Sequence, residues 1–210
     1  PPPMSAFAAR GVVTMNNLKI IARISLLLAL TAISASGAFG DERFPGDSVY
    51  QLRTPLTNQA GEVITLDYYA GSPVLVSMFY ASCPYVCPTL ISNIQQLKNK
   101  LSAKQQASTK VLMISLDPER DSPAKLMEVA RLHGVDLAGW TFAAPTSGDV
   151  REVAAVLGVQ YRKLPDGEFN HTAAVTLLDA NGRSVAQTTS ISQVDRDFLA
   201  ETAKLASFGD

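Results

Sequence analysis

The stretch "PVLVSMFYASCPYVCPTLISNIQQLKNKL", residues 73–101, holds both cysteines of the chain between two different hydrophobic patterns. Residues 73–80 form an apolar run, which predicts a buried β-strand. Beyond it, apolar side chains recur on one helical face, at Leu90, Ile91, Ile94, Leu97 and Leu101. Pro88 lacks a backbone N–H and fits the first helical position. The pattern therefore predicts that Cys83 lies in a tight turn and that Cys87 caps the helix.

Strands and helices alternate along the rest of the chain. The predicted strands are residues 111–116, 140–145, 173–179 and 183–187. The predicted helices are residues 123–133, 148–157 and a last helix that starts at the capping pair Ser192 and Asp195. Residues 49–52 and 63–66 flank a turn at 58–61 and predict an N-terminal β-hairpin. This order predicts an α/β fold, a thioredoxin-like sandwich with a mixed central sheet flanked by helices.

The composition excludes several classes of protein. Hydrophobic residues make up 47% and charged residues 18% of the 210 residues, which predicts a packed core rather than disorder. The formal net charge is -1, so no charge excess indicates binding to nucleic acid or to an anionic surface. We therefore expect no nucleic-acid partner.

Residues 1–40 have the pattern of an export segment. Lys19 and Arg23 precede an apolar run at 24–33, and small residues follow it, as in a secretory signal peptide. The run is shorter than the roughly 20 residues that span a bilayer, and the sequence leaves open whether the segment is cleaved or kept as an anchor. We expect one domain, residues 41–210, in the periplasm, either soluble or anchored to the inner membrane.

The two cysteines allow three interpretations: a disulfide staple, a redox pair or a metal site. A disulfide across so short a loop removes little chain entropy, so the staple is disfavoured. Backbone N–H groups at a helix start stabilise a thiolate, which favours a functional pair. Three residues separate Cys83 from Cys87, whereas a thioredoxin redox motif has two, and this weakens a pure reductase interpretation.

Both histidines of the chain are candidates for a third functional group. His133 lies near the end of a predicted helix, where a structural role is expected. His171 lies in "DGEFNHTAAVTLLD", on a predicted loop just before a buried strand. Two thiolates and one imidazole form a coherent ligand set for a soft or borderline metal such as copper or zinc.

Three motifs together resemble the Sco/SenC family: "FYASCPYVCPTL" (79–90), "SLDPERDSPAKL" (115–126) and "FNHTAAVTLLDANG" (169–182). The resemblance covers roughly residues 45–207. It implies a copper-binding, thioredoxin-like protein implicated in assembling cytochrome oxidase. The family's copper ligands match Cys83, Cys87 and His171, and copper, as Cu(I) or Cu(II), is the implied metal. The DPERD loop, residues 117–121, either shapes this site or serves only as a polar loop with a helix cap.

One position departs from the family pattern. Many members have an acidic residue between the cysteines where this chain has Tyr85. The change makes the site less negative, which bears on copper affinity and on the partner surface. It leaves the three implied ligands untouched.

Two functional hypotheses follow from the resemblance. The first is a metallochaperone that delivers copper to, or prepares, the copper centre of a respiratory oxidase. Its partners would be a copper-containing oxidase subunit or its apo-site and other copper chaperones, with membrane association through an uncleaved N-terminal segment. The second is a thiol–disulfide oxidoreductase in which Cys83 and Cys87 are the catalytic redox pair and metal is incidental.

Overall fold

The computed structural model describes residues 43–207 of the chain. The export signal or anchor predicted in residues 1–40, and the domain boundary that follows it, lie outside the described residues. Within residues 43–207, no helix has both the length and the hydrophobicity needed to cross a bilayer.

The described part of the chain forms strands β1–β9 and α-helices α1–α5. The strands are β1 Leu56–Asn58, β2 Val63–Ile64, β3 Val74–Phe79, β4 Lys110–Ser115, β5 Trp140–Ala144, β6 Tyr161–Lys163, β7 Phe169–His171, β8 Val175–Leu178 and β9 Ser184–Thr188. The helices are α1 Val86–Asn99, α2 Ala103–Ser108, α3 Pro123–Leu132, α4 Val150–Val156 and α5 Arg196–Leu205. Short 3-10 helices occupy Val49–Gln51 and Leu66–Tyr69.

Seven of these strands form a mixed sheet in the order β2-β1-β5-β4-β3-β8-β9. Strands β3, β4 and β5 run parallel, whereas β8 pairs with β3 and β1 pairs with β5 in antiparallel directions. Every residue of β3 is buried, as expected for a central strand covered on both faces. Strands β6 and β7 form a separate two-stranded antiparallel ribbon. The predicted α/β fold with a mixed sheet and flanking helices is confirmed.

The N-terminal hairpin exists, but its first strand was placed wrongly. The strand is Leu56–Asn58, while residues 49–52 contain a 3-10 helix. Ser48 caps that helix by accepting a hydrogen bond from the Tyr50 N–H, and the Tyr50 side chain is completely buried. A local cap and a buried ring therefore override the strand-like pattern at this point.

Some helix starts and short strands also differ from those that the sequence pattern predicts. Asp195, rather than Ser192, caps α5, because its carboxylate accepts from two backbone N–H groups of the first turn. Helix α2 and the β6–β7 ribbon were not predicted. A capping box formed by Ser102 and Gln105 marks the start of α2 and was a usable sequence signal.

The turn between β8 and β9 provides a test of packing at a glycine. Gly182 has a φ of +77°, and a Cβ there would lie 2.5 Å from the Tyr50 ring. Gly61 has a similar φ of +80° but open space around it. We expect Gly61→Ala to lower the free energy of unfolding by about 1 to 2 kcal/mol through backbone strain alone. Gly182→Ala should lower the free energy of unfolding by the same strain and by about 1 to 3 kcal/mol more, because the added methyl group overpacks the Tyr50 ring.

Urea denaturation of the two variants under reducing conditions measures this difference. Equal losses of stability would contradict the close packing of the β8–β9 turn against Tyr50.

Candidate metal and redox centre

Helix α1 begins two residues earlier than the sequence predicted. Its first residue is Val86 and its N-cap is Tyr85, so Cys87 is the second helical residue and Pro88 the third. The Tyr85 carbonyl accepts from the Thr89 hydroxyl at 2.9 Å. N–H groups of a first helical turn have no partner within the helix, so Pro88 is tolerated here.

The structure brings the two cysteines together at this helix start. Both are free thiols, and their exposed fractions are 8% for Cys83 and 3% for Cys87. The Cys87 backbone N–H donates to the Cys83 sulfur at 3.4 Å, and the Cys83 N–H donates to the Tyr80 carbonyl at 3.2 Å. The predicted turn before the helix is confirmed, and it holds Cys83 against the helix's N-terminal N–H groups.

The two thiols differ strongly in acidity. A hydrogen bond from the Cys87 thiol, together with backbone N–H donors, lowers the pKa of Cys83 to about 5. The pKa of Cys87 is raised, first because its proton is held by Cys83 and then because it is buried. At neutral pH the pair therefore consists of one thiolate and one thiol that share a proton.

His171 lies in strand β7 rather than on the predicted loop. It pairs with Tyr161 across the β6–β7 ribbon, and its Nδ1 lies 3.2 Å from the Thr172 carbonyl oxygen. A protonated Nδ1 donates to that carbonyl, which leaves the lone pair of Nε2 for a ligand. His133, in contrast, is the C-cap of α3, and burial lowers its pKa.

The three predicted ligands are only partly assembled. Within residues 43–207, no three His, Cys, Asp or Glu side chains lie close enough together to hold a metal ion. The cysteines are adjacent, whereas His171 contacts the Tyr80 ring with a centroid distance of 6.0 Å. The Tyr80 hydroxyl also makes a small contribution to the lowered pKa of Cys83. Tyr80, which the sequence pattern places at the end of the apolar strand 73–80, thus contacts both the cysteine turn and His171.

The DPERD loop is packed against the cysteine turn through Asp121. This carboxylate is buried, and its Oδ2 accepts from the Ala81 N–H at 3.0 Å and from the Ser115 hydroxyl at 2.6 Å. Burial is also the main cause that raises the pKa of Asp121. Asp121 therefore ties the start of the cysteine turn to the end of β4.

The same loop contacts the ribbon that carries His171. Arg120 forms an ion pair with Asp117 and donates to the Gly167 carbonyl at 2.6 Å. The Nζ of Lys163, in β6, lies 3.9 Å from Asp117 Oδ1 and 3.6 Å from Glu119 Oε2. Of the two roles left open by the sequence, these contacts support the shaping of the site, because the loop fixes both the cysteine turn and the ribbon.

Comparison with known proteins gives one family. The SCO1/SenC family model matches residues 48–207. The chain belongs to the SCO1/SenC family.

Individual relatives agree with this assignment. The SCO1 protein homolog of Bacillus subtilis is 24% identical over 153 residues, covering 71% of this chain and 79% of the relative. The structure of Bradyrhizobium japonicum ScoI with copper bound is 27% identical, with a TM-score of 0.63 over 72% of this chain and 96% of that one. BsSco, described as having a disulfide switch and as one of the cytochrome c oxidase assembly proteins, is 20% identical with a TM-score of 0.63, covering 73% and 91%. The predicted thioredoxin-like fold is confirmed.

This SCO1/SenC chain presents an apolar surface between its cysteines. The Tyr85 side chain is 81% exposed, and Val86 and Pro84 beside it are also exposed. The tyrosine makes no side-chain capping bond to the helix. Tyr85, at the position where the resemblance led us to expect an acidic residue, is therefore a bulky aromatic group exposed to solvent between the cysteines.

The lowered pKa of Cys83 predicts an unusual pH dependence of its reactivity. Alkylation of the reduced protein by iodoacetamide should follow the thiolate, with a midpoint near pH 5 instead of the ordinary value of 9.0. Cys87→Ala removes the thiol donor and should shift this midpoint upward. Mass spectrometry of alkylated peptides across a pH series measures the profile, and an unshifted midpoint in the wild type would contradict the shared proton.

The Asp121 contacts predict a stability difference within one loop. Asp121→Ala leaves the Ala81 N–H and the Ser115 hydroxyl without their acceptor, which should lower the free energy of unfolding by about 2 to 4 kcal/mol. Glu119→Ala, at an exposed residue of the same loop, should change it by less than about 1 kcal/mol. Urea titrations compare the two, and similar small losses would show that Asp121 does not fix the turn.

Proposed function

We propose that this chain is an exported copper-binding assembly protein that delivers copper to, or prepares, the copper centre of a respiratory oxidase. The observation that carries the proposal is the pair of buried free cysteines at the start of α1, with the His171 ring packed on the tyrosine whose carbonyl holds the cysteine turn. Family membership, the copper-bound structure of Bradyrhizobium japonicum ScoI and the oxidase-assembly description of BsSco support it.

The ligands in this proposal are Cys83, Cys87 and His171. Two thiolates favour Cu(I), and the imidazole makes the set suitable for Cu(II) as well. Cys83 already carries the negative charge, so binding must release only the proton that Cys87 shares with it. His171 must approach the sulfurs to complete the set, which requires a shift of the β7 end of the β6–β7 ribbon.

The recipient would be a copper-containing oxidase subunit or its apo-site, and other copper chaperones would supply the metal. The domain would act in the periplasm, because the lysine- and arginine-led apolar segment in residues 1–40 is typical of export. A cleaved segment would release a soluble protein, and an uncleaved one would hold it at the inner membrane.

A second candidate function is thiol–disulfide exchange, favoured by the lowered pKa of Cys83. The Cys83 thiolate would attack a partner disulfide and form a mixed disulfide, while one partner sulfur leaves as a thiolate. Cys87 would then give its proton to that thiolate and attack the Cys83 sulfur, which breaks the mixed disulfide and releases the second partner sulfur as a thiolate. The products are a Cys83–Cys87 disulfide and a reduced partner, so both electrons come from this pair.

The variant His171→Ala separates the two functions. Reduced protein should bind about one copper ion per chain, with an intense sulfur-to-copper absorption band for Cu(II). His171→Ala should weaken binding and alter this band, whereas reversible oxidation of the two cysteines should persist. Copper titration by absorbance, together with thiol counting, measures both properties.

The same variant should be tested in cells that lack the wild-type gene. We expect His171→Ala to leave copper-oxidase activity low at limiting copper and to restore part of it at high copper, since mass action compensates for a weakened site. Cys83→Ser should fail under either function and serves as the negative control. Full rescue by His171→Ala would favour the reductase and contradict copper delivery as the main function.

A further inference from the structure

Tyr80 joins the two halves of the candidate site through its backbone and its side chain. It follows the last residue of β3, and its carbonyl accepts the Cys83 N–H at 3.2 Å. Its side chain points away from solvent, with the residue only 5% exposed. Tyr80 is therefore a fixed part of the sheet edge from which the cysteine turn starts.

The Tyr80 ring packs against one face of the β6–β7 ribbon. Residues two apart on a strand point to the same side, and both Phe169 and His171 of β7 contact this ring. The centroid distances are 5.2 Å to Phe169 and 6.0 Å to His171, and the His171 ring meets Tyr80 edge to face at 76°. The orientation of the His171 ring is thus set by Tyr80 on one side and by its own Thr172 carbonyl contact on the other.

The Tyr80 hydroxyl is anchored on the same ribbon. It donates to Glu168 Oε2 at 2.8 Å, and Glu168 immediately precedes β7. The Glu168 backbone is held in turn, because its N–H donates to Asp166 and its carbonyl accepts the Leu164 N–H at 2.7 Å. A hydrogen bond to a carboxylate is among the stronger ones available to a phenol.

The ribbon needs such support because its own structure is minimal. Each of its strands has three residues, and an isolated two-stranded hairpin is marginally stable in water. Contacts with Tyr80 and with the DPERD loop hold the ribbon against the rest of the domain. Without the Tyr80 contact, His171 would have to be ordered when copper binds, and that loss of entropy would reduce the affinity.

We propose that Tyr80 is a positioning residue that sets His171 beside the cysteine pair, with Glu168 as the anchor of its hydroxyl. The proposal rests on the copper function above and on His171 as a ligand. Tyr80 itself donates no electron pair to the metal. It acts through the imidazole, by limiting the positions that the β7 end of the ribbon can take.

A double-mutant cycle between Tyr80 and His171 tests the proposal. Copper affinity is measured by competition with a chelator for Tyr80→Leu, Tyr80→Phe and His171→Ala, and for the two double variants. Tyr80→Leu should weaken binding about tenfold, or about 1.4 kcal/mol, and Tyr80→Phe about threefold, or about 0.65 kcal/mol, because the imidazole must then be ordered on binding. In the His171→Ala background both Tyr80 substitutions should lose most of this effect, because only the smaller contribution of the Tyr80 hydroxyl to the Cys83 thiolate then remains.

Two further measurements separate positioning from general damage. Tyr69 is as buried as Tyr80, also 5% exposed, but lies in the 3-10 helix Leu66–Tyr69 and lacks the Tyr80 contacts, so Tyr69→Leu is the matched control and should keep wild-type copper affinity. Electron paramagnetic resonance of the Cu(II) forms should show weaker imidazole nitrogen coupling in Tyr80→Leu. Glu168→Gln should weaken affinity in the wild type and add nothing to Tyr80→Phe.

The outcomes distinguish this proposal from the one on which it rests. If His171→Ala alone leaves copper affinity unchanged, the three-ligand set is wrong and the positioning role falls with it. If His171→Ala weakens binding but the Tyr80 variants bind like the wild type, the ligand set stands and the positioning role is overturned. A Tyr80 effect that persists in full without His171 also overturns it, because Tyr80 then acts on the cysteines alone. If Tyr80→Leu does not fold, Tyr80→Phe decides.

Discussion

The parallel pairing of β3 with β4 is the constraint on which the rest of the site depends. Their register runs from Val74 opposite Lys110 to Phe79 opposite Ser115, so both strands end at the same edge of the sheet. The loops that follow are the cysteine turn and the DPERD loop. Asp121 joins them by bonds to Ala81 and Ser115. Functional groups that are about forty residues apart in sequence are thereby neighbours, as is usual beyond the carboxyl ends of parallel strands.

Burial and hydrogen bonding act in opposite directions on the two thiols. Burial alone would keep both neutral. The Cys87 thiol donates to Cys83 and the start of α1 adds backbone N–H donors, so the hydrogen bonds outweigh burial at Cys83. The pKa of Cys87 is raised because its proton is held by Cys83 and because the thiol is buried, and the Asp121 carboxylate adds a small contribution. The asymmetry thus follows from the position of each cysteine relative to the helix start, with Cys83 before it and Cys87 within its first turn.

The parts of this structure that sequence predicted are those that local patterns encode. The strands β3, β4 and β5 are runs of five or six mostly buried residues, and Ser122 with Pro123 marks the start of α3. The β6–β7 ribbon escaped prediction because each strand has only three residues and β6 is largely exposed. The Tyr80–Glu168 bond joins residues 88 positions apart, and no local pattern contains such a contact. Sequence patterns therefore suggested three ligands that remain a prediction, and they missed Tyr80, which contacts both the cysteine turn and His171.

Copper loading and thiol exchange draw on the same two sulfurs, so the two proposed functions exclude one another at any moment. A disulfide leaves no thiolate for a soft metal, and a bound metal occupies the lone pairs that would attack a partner disulfide. The balance between copper binding and disulfide formation then depends on groups that only one of them needs. In the proposed ligand set, His171 is needed for copper binding but not for the disulfide. If His171 is a ligand, a contact that limits the movement of its ribbon, such as the Tyr80 ring or the Arg120 bond to Gly167, would favour metal over disulfide. The β6–β7 ribbon is thus the element through which this domain would set the proportion of the two proposed activities, since both would use the same cysteine turn.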